Sequence, residues 1–303
     1  MFCVSRCFRP LLPVLLALVA LSGCDSAEPI ELTPPDVVEV DQWPAWSPDG
    51  TRIAYLHDAG PTADTTDVTG LYILNVEADT TRRVVEGYTM SPDWRPDGKH
   101  LTFTTGDIFT IRPDGSGLRR IVSRGNTFST TWGPDGQRIA YDLTVPVDSS
   151  GTWFVNPDGS AKKHLGLGRY PSLSPSHRIL FLGRPGTSEG GPQLWIADSS
   201  GSDSTQFTDN DFVSNRDPEW SPDGEWIAWT PIHEGDSELW IMRADGSAAR
   251  KLVENGQTPA WGPNSERIVF AKPAPDSRYT ALWTIRRDGT GLRQLTVPSP
   301  SNK

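Results

Sequence analysis

Short apolar runs recur along the chain at a spacing that is typical of β-strands. Runs such as Ile53-Ala54-Tyr55 and Leu71-Tyr72-Ile73 are only a few residues long, and turn residues separate them, often as Asp-Gly pairs. An amphipathic helix would need apolar positions sustained at a period of 3.6 residues. From residue 24 onward the sequence shows no such period. The pattern therefore predicts an all-β protein built from short strands and tight turns.

A repeated motif organises these strands into units. The motif Trp-Ser-Pro-Asp-Gly, or a variant of it, occurs six times at intervals of 38 to 48 residues. The landmark residues that open the six copies are Trp46, Trp94, Trp132, Leu173, Trp220 and Trp261. The landmark belongs to the first strand of a repeat. An apolar run, a second apolar run and, after a turn, a further short run follow it, so each repeat supplies four strands. Four strands in about 40–45 residues are typical of a propeller blade.

We therefore predict a six-bladed β-propeller with four antiparallel strands per blade. The blades are expected to start near residues 42, 90, 128, 169, 216 and 257, within a propeller spanning residues 42–297 and followed by a tail at 298–303. The landmark tryptophans recur so evenly that we assign them to the core between blades.

The two faces of such a ring differ in sequence. With the strands of a blade labelled a to d from the axis outward, the a–b and c–d turns share one face, here called the turn face. The b–c and d–a loops share the other, the mouth face. The a–b turns have nearly constant length, and their Asp-Gly pairs suit tight turns. The b–c loops vary, from Thr104–Asp107 to Leu56–Gly70, with Thr230–Glu238 as the fifth. Loop variation on one face of a repeat ring favours that face for binding.

Candidate contact residues stand three and four positions before the landmarks, where the first strands begin at the channel mouth. They mix aromatic rings, Arg and amides, a mixture enriched at binding hot spots. Ordinary solvated loop starts are the alternative interpretation. The candidates are Gln42, Trp43, Met90, Phe128, Arg169, Tyr170, Arg216, Asp217 and Gln257. Among them, Arg169 and Arg216 could clamp a carboxylate of a partner, which predicts an acidic or C-terminal peptide group as ligand.

The N-terminus predicts export and lipidation. Arg6 and Arg9 precede an apolar segment at Leu11–Leu21 that is too short to span a bilayer. The sequence Leu21-Ser22-Gly23-Cys24 resembles a bacterial lipobox, so we interpret residues 1–23 as a lipoprotein signal peptide. Residues 24–41 would then be the lipidated Cys24 and a tether; an ordinary secretory signal is the alternative. The segment Ile30–Thr33 resembles a stray strand that could join the last blade.

Composition removes several function classes. The net charge is −10, with 28 basic and 38 acidic residues, which argues against a nucleic-acid binder. The three cysteines all fall within the first 24 residues, so the remainder offers no cysteine-based metal site or disulfide. The five histidines fall in different repeats. The motif Gly186–Gly190 matches G-x-S-x-G, but lies in a loop without the strand-to-helix setting of a nucleophile elbow. No metal, cofactor or catalytic residue is predicted.

The Trp-Ser-Pro-Asp-Gly grammar, followed by runs such as Ile53-Ala54-Tyr55 and Leu71-Tyr72-Ile73, resembles the propeller repeat of the TolB family over residues 42–297. That resemblance implies a six-bladed propeller of the bacterial envelope that binds another protein. Similar propellers accompany prolyl-oligopeptidase-type peptidases and form oligogalacturonide lyases, which use a histidine-bound metal. We expect a monomeric, lipid-anchored, non-catalytic protein on either envelope membrane that binds an envelope protein or peptide. The alternatives are a glycan lyase or hydrolase acting at the same face, and a structural spacer.

Overall fold

The computed structural model describes residues 39–59, 68–144, 147–184, 191–209, 214–233, 235–275 and 279–297. Cys24, the segment Ile30–Thr33 and the motif Gly186–Gly190 lie outside the described residues. The described chain is almost entirely β, with one 3₁₀ turn at Val147–Ser149. Within it, no helix is both long and apolar enough to cross a membrane.

Each of the first three sequence repeats folds into four consecutive strands. The first repeat contains β1 (Val40–Trp46), β2 (Arg52–Asp58), β3 (Gly70–Asn75) and β4 (Thr80–Glu86). The second contains β5 (Met90–Trp94), β6 (Leu101–Thr104), β7 (Gly106–Ile111) and β8 (Arg119–Thr127). The third contains β9 (Thr130–Trp132), β10 (Ile139–Leu143), β11 (Gly151–Val155) and β12 (Lys163–His164).

The last three repeats follow the same order. The fourth contains β13 (Arg169–Leu173), β14 (Ile179–Gly183), β15 (Gln193–Ala197) and β16 (Thr205–Gln206). The fifth contains β17 (Ser214–Trp220), β18 (Trp226–His233), β19 (Asp236–Arg243) and β20 (Arg250–Glu254). The sixth contains β21 (Gln257–Trp261), β22 (Arg267–Pro273), β23 (Thr280–Arg286) and β24 (Arg293–Gln294). The landmark residue of each repeat is the last or nearly the last residue of its first strand, because Pro-Asp-Gly must turn the chain immediately after it.

The sheets are antiparallel within each repeat, which gives the all-β propeller that the sequence predicts. Their number differs from the prediction of six separate four-stranded sheets. Repeats two to five form four such sheets, whereas repeats one and six are joined into one eight-stranded sheet. The reason is a single parallel pairing of Val40 with Thr280, in which the Thr280 amide donates to the Glu39 carbonyl at 3.0 Å.

The hydrophobic core lies between neighbouring repeats. One cluster packs Leu180 and Ile196 of repeat four against Trp220 and Trp229 of repeat five. Equivalent clusters join every other successive pair, and another joins Val269 of repeat six to the first repeat. A four-stranded sheet cannot bury both of its faces alone, so stacking against two neighbours is what stabilises each repeat. Of the five landmark tryptophans predicted for this core, Trp94, Trp132, Trp220 and Trp261 are buried to 5% exposure or less. Trp46 is half-buried and packs against the cluster between repeats six and one.

The connections on the mouth face are shorter than predicted from sequence. Thr230–Glu238 was expected to be a loop, but β18 continues to His233 and β19 begins at Asp236. The two strands pair as far as His233 with Asp236, so the hairpin extends outward beyond the core. The sequence did not indicate this extension, because Pro, Gly, Asp and Ser residues in this segment are also common in loops.

Candidate channel-mouth site

A repeated backbone irregularity shapes the axis of the ring. In five of the six first strands, the residue three positions before the landmark has a positive φ and is followed by proline; these residues are Trp43, Ser91, Tyr170, Asp217 and Thr258, with φ between 47° and 53°. Each lies where the strand contains one residue more than its partner, which defines a β-bulge. Repeat three has Ser129-Thr130 instead, and β9 pairs without a shift.

These bulges carry a conformational cost that the fold must offset. A left-handed backbone at a non-glycine residue costs on the order of 1–3 kcal/mol and persists where the surroundings over-determine it. Here the bulge turns the strand so that the three residues before the landmark face the axis. Strained positions of this kind concentrate at functional sites, so the channel that they line is a candidate functional site.

The residues before the landmarks line a cavity of about 120 Å³ on the ring axis. All six repeats contribute to it, with proline two positions before the landmark in five of them. The aromatic side chains in the lining are Trp43, Phe128 and Tyr170, and the charged ones are Asp93, Asp217 and Glu219. Of the described residues in this lining, none is Lys, Arg or His, so its formal charge is entirely negative.

Neutral donors hold two of the three channel carboxylates in place. The Trp132 amide donates to Asp93 Oδ2 at 2.6 Å, and the Trp261 amide donates to Glu219 Oε2 at 3.1 Å. Both donors belong to the next repeat, so each carboxylate also ties neighbouring first strands together. Ser172 does the same at the equivalent position, accepting from the Trp220 amide at 3.0 Å. The structural role of this position therefore does not require a charge.

The surroundings make ionisation of these carboxylates costly. Burial raises the pKa of Asp93 to about 6, against the donor groups of Trp132, Thr131 and Trp94 that lower it. Burial likewise raises the pKa of Asp217 to about 6, although the Arg216 charge and the Thr258 amide lower it. The pKa of Glu219 lies well above its usual value because of burial and the nearby charge of Asp93. The three carboxyl groups therefore hold their protons more tightly than exposed carboxyl groups do, because the neighbouring donors and the Arg216 charge compensate ionisation only in part.

Another buried carboxylate, that of Asp142, lies near the mouth residues Phe128 and Arg169. Asp142 is fully buried and accepts from the amides of Phe128 and Ser129, both at 2.8 Å, and from Arg169 Nε at 3.3 Å. The Arg169 guanidinium also lies 5.1 Å from the Phe128 ring centroid and 5.4 Å from that of Tyr170. Burial raises the pKa of Asp142, and these donors and the Arg169 charge oppose the rise.

Arg169, which the sequence predicts as a clamp for a partner's carboxylate, is held by groups of its own chain. Its charge is already paired with Asp142, and its plane is held beside two aromatic rings. Arg216 is exposed, and among the described residues it forms no ion pair within 4 Å. Of the two arginines, Arg216 is therefore the one available to a partner.

The structure separates the nine candidate residues into two groups. Trp43, Phe128, Tyr170 and Asp217 line the axial cavity. Gln42, Met90, Arg169, Arg216 and Gln257 do not, because they precede the bulge and pair with the second strand of their own repeat or lie beside it. Sequence reasoning did not select Asp93 and Glu219. Their position directly before the landmark was the available signal, but it carries Ala, Thr or Ser in the other repeats.

Exposed aromatic side chains extend the mouth beyond the cavity. Tyr88 is 47% exposed and packs edge-on against Trp43, with 6.0 Å between ring centroids. Phe128 is 40% exposed. Aromatic side chains that combine exposure with neighbours holding them in place are suitable anchors for a partner surface.

A buried polar network lies where the first and last repeats meet. Asp41 is 1% exposed, accepts from the Tyr279 hydroxyl, and lies 2.7 Å from His57 Nδ1. Tyr279 Oη also lies 3.0 Å from Thr296 Oγ1. Burial lowers the pKa of His57, but the hydrogen bond and charge of Asp41 outweigh this effect and raise it overall. Because Asp41 belongs to repeat one and Tyr279 to repeat six, this network reinforces closure of the ring.

The turn face uses its aspartates internally. Asp49 Oδ1 accepts from Ser47 Oγ at 2.6 Å and from the Thr51 amide at 3.0 Å. Asp223 accepts in the same way from Ser221 Oγ and from the Glu225 amide at 2.9 Å. These side chains fix the turn that follows the landmark, which matches their expected structural role. Among the described residues, no group of three or more His, Cys, Asp or Glu side chains could hold a metal ion.

Comparison with known proteins begins with partial sequence matches. No protein-family model matches the chain. It is 36% identical over 81 residues to the Tol-Pal system protein TolB of Anaeromyxobacter dehalogenans, covering 26% of this chain and 18% of that protein. It is 32% identical over 121 residues to a TolB homologue of Chlorobaculum tepidum, covering 39% of this chain and 26% of that protein. The matches span about a quarter or less of the curated relatives' length.

The repeats are similar in sequence to those of TolB proteins, and the fold is similar to that of TolB-like β-propellers. A candidate TolB from Agrobacterium tumefaciens superimposes with a TM-score of 0.63 at 20% identity, covering 74% of this chain and 87% of that one. An oligogalacturonate lyase from Vibrio parahaemolyticus superimposes with a TM-score of 0.55 at 13% identity, covering 87% and 80%. At these identities the structural likeness establishes the β-propeller fold alone and leaves activity to be argued from the site.

Proposed function

We propose that this chain is a non-catalytic protein of the bacterial envelope whose mouth face binds a protein or peptide partner. In this proposal the six repeats are six blades, and the eight-stranded sheet counts as two of them. Cys24 carries the lipid that anchors the otherwise monomeric protein to the membrane. The TolB-like relatives support an envelope role, since the names of several place them in the Tol-Pal system.

One observation carries the choice of face. The mouth face opens into a cavity to which every repeat contributes, and it presents the exposed rings of Tyr88 and Phe128 beside the free charge of Arg216. On the turn face, by contrast, the aspartates that could contact a ligand are occupied by hydrogen bonds to their own turns. Buried aromatic and arginine side chains dominate binding energy at protein interfaces, and the mouth offers that composition.

The lining favours binding over catalysis. Asp93 and Glu219 line the cavity, and each accepts a hydrogen bond from a backbone amide of the next repeat. The described histidines do not line the cavity, so the carboxylates have no imidazole partner there for general acid–base work. A lyase that used a histidine-bound metal at this place would need ligands that the described lining does not contain.

The test compares exposed apolar side chains on opposite faces. Phe128→Ala and Tyr88→Ala alter the mouth, whereas Leu118→Ala and Leu292→Ala remove side chains of similar exposure near the c–d turns. A partner captured from envelope extract by the full chain should be retained by the turn-face variants. It should be reduced at least several-fold with the mouth variants, because truncating a hot-spot residue costs about 2 kcal/mol or more. The reverse pattern would place the binding surface on the turn face.

A further inference from the structure

The axial cavity concentrates negative charge under an aromatic rim. Asp217 lies at the same level of its strand as Trp43 and Tyr170, three residues before the landmark. Asp93 and Glu219 lie two residues deeper along their strands. The three carboxylates therefore follow the cavity inward from its aromatic entrance.

Among the described residues, no Lys, Arg or His side chain lines the cavity beside these carboxylates. The donors that reach Asp93 and Glu219 are backbone amides and the Thr131 hydroxyl, all of which are neutral. Arg216 lies close enough to lower the pKa of Asp217, but its exposed side chain does not line the cavity. Charged groups taken out of water are costly unless they are paired, so a cation entering the cavity would gain much more here than at an exposed carboxylate.

The shape and rim select the kind of cation. A cavity of about 120 Å³ exceeds the share of one liquid water, which is about 30 Å³, so it can admit an alkyl stem with a charged head. Trp43 and Tyr170 at the entrance can attract a cation through their ring faces and pack against its methylene groups. Among the described residues, the carboxylates do not converge into a cluster that could hold a metal ion. An organic cation on a flexible stem fits this arrangement best.

We propose that the cavity receives a basic side chain, Lys or Arg, that the binding partner inserts along the axis of the ring. The proposal rests on the proposed function, because it names the chemistry of the partner that the mouth face binds. Arg169 does not oppose such a ligand, since its charge is paired with buried Asp142. The partner is therefore a protein or peptide with an exposed basic residue, which is opposite in charge to the acidic partner that the mouth arginines alone predict.

The test uses three displayed peptide libraries with random flanks and a fixed central residue, which is Lys, Leu or Glu. Each library is selected on the immobilised full chain in buffer containing a chelator, so that divalent cations do not compete for the carboxylates. The same selections are repeated on the double variant Asp217→Asn/Glu219→Gln, which keeps the side-chain shapes and an acceptor oxygen. The matched control is Asp223→Asn/Glu225→Gln on the turn face, and thermal melts verify that both variants fold.

We expect the Lys library to be enriched at least tenfold over the Leu and Glu libraries on the unaltered chain and on the turn-face control. On the mouth variant this preference should fall to within about twofold. Equal enrichment of the three libraries, a preference for Glu, or a Lys preference that survives the mouth substitutions would overturn the inference. A preference for Leu or Glu that is lost on a Phe128→Ala variant would overturn this inference but leave the proposed function standing. No enrichment of any library would count against both. The comparison of libraries on the unaltered chain needs no variant, so a poorly folded mutant cannot obscure the result.

Discussion

Replacing Asp93 by Asn should make the protein more stable at neutral pH. Burial raises the pKa of Asp93 to about 6 from 3.8, a rise of roughly two units. At about 1.4 kcal/mol per unit, ionising this carboxyl costs the folded state up to about 3 kcal/mol. Asp93 is only half-buried, so solvent screening reduces that figure and we expect a gain of about 1–3 kcal/mol. Asn retains an oxygen that can accept from the Trp132 amide.

Because the pKa of Asp93 is raised in the folded state, the stability difference between the variant and the parent depends on pH. Below the unfolded pKa near 4, the carboxyl is protonated in both states and the charge costs nothing. Between that value and about 6 the unfolded chain loses its proton first, so the unaltered protein loses stability as the pH rises. Above about 6 the full cost is present. The advantage of Asp93→Asn should therefore grow between pH 4 and pH 6 and then remain constant.

Urea unfolding followed by tryptophan fluorescence at pH 4.5 and pH 7.5 measures this difference. Asp49→Asn is the matched control, because burial of Asp49 is outweighed by hydrogen bonds from Ser47 and Thr51 and by the Arg52 charge, which lower its pKa. The ionised Asp49 carboxylate therefore stabilises the fold, so Asp49→Asn should reduce stability at pH 7.5. Should Asp93→Asn also reduce stability at pH 7.5, or change it equally at both pH values, the assignment of an uncompensated channel charge is wrong.

Three further substitutions test other parts of the structure. Trp220→Ala removes a buried side chain between repeats four and five and should cost about 3–5 kcal/mol in urea unfolding; a cost below about 1 kcal/mol would contradict its place in the core. His57→Gln should remove a stabilisation that is present below the unfolded pKa near 6.5 and is lost as the pH rises through the raised folded pKa; equal pH profiles for variant and parent between pH 6 and pH 8 would refute this. Cys24→Ser should abolish labelling by a fatty-acid analogue, and unchanged label would exclude Cys24 as the anchor.

The strand pattern was predictable because the same order of core and turn residues recurs in each repeat. The landmark Trp-Ser-Pro-Asp-Gly combines a bulky core residue with residues that favour a tight turn, so even a degenerate copy such as the one at Leu173 can be aligned with the others. The parallel pairing of Val40 with Thr280 was not predictable, since a single contact between chain ends leaves no periodic signal. It is this contact that merges two predicted sheets into one.

The candidate site was predictable in place but not in detail. Positions near the mouth follow from the repeat, but which side chains reach the axis depends on the bulge at residues such as Trp43 and Asp217. The bulge turns the residue before the landmark inward, so Asp93 and Glu219 were missed. The pairing of Arg169 with Asp142 joins different repeats across 27 positions of sequence, and no local pattern indicates it.

Photocrosslinking in the cell tests most directly whether the mouth face binds the partner. A photoreactive phenylalanine analogue replaces Phe128 at the mouth or, in a matched strain, Leu118 on the turn face; both positions are exposed. If the partner binds the mouth face, we expect one discrete protein adduct from position 128 that is lost when Arg216→Ala is added, and no such adduct from position 118. A discrete adduct from position 118, with none from position 128, would contradict binding of the partner at the mouth face.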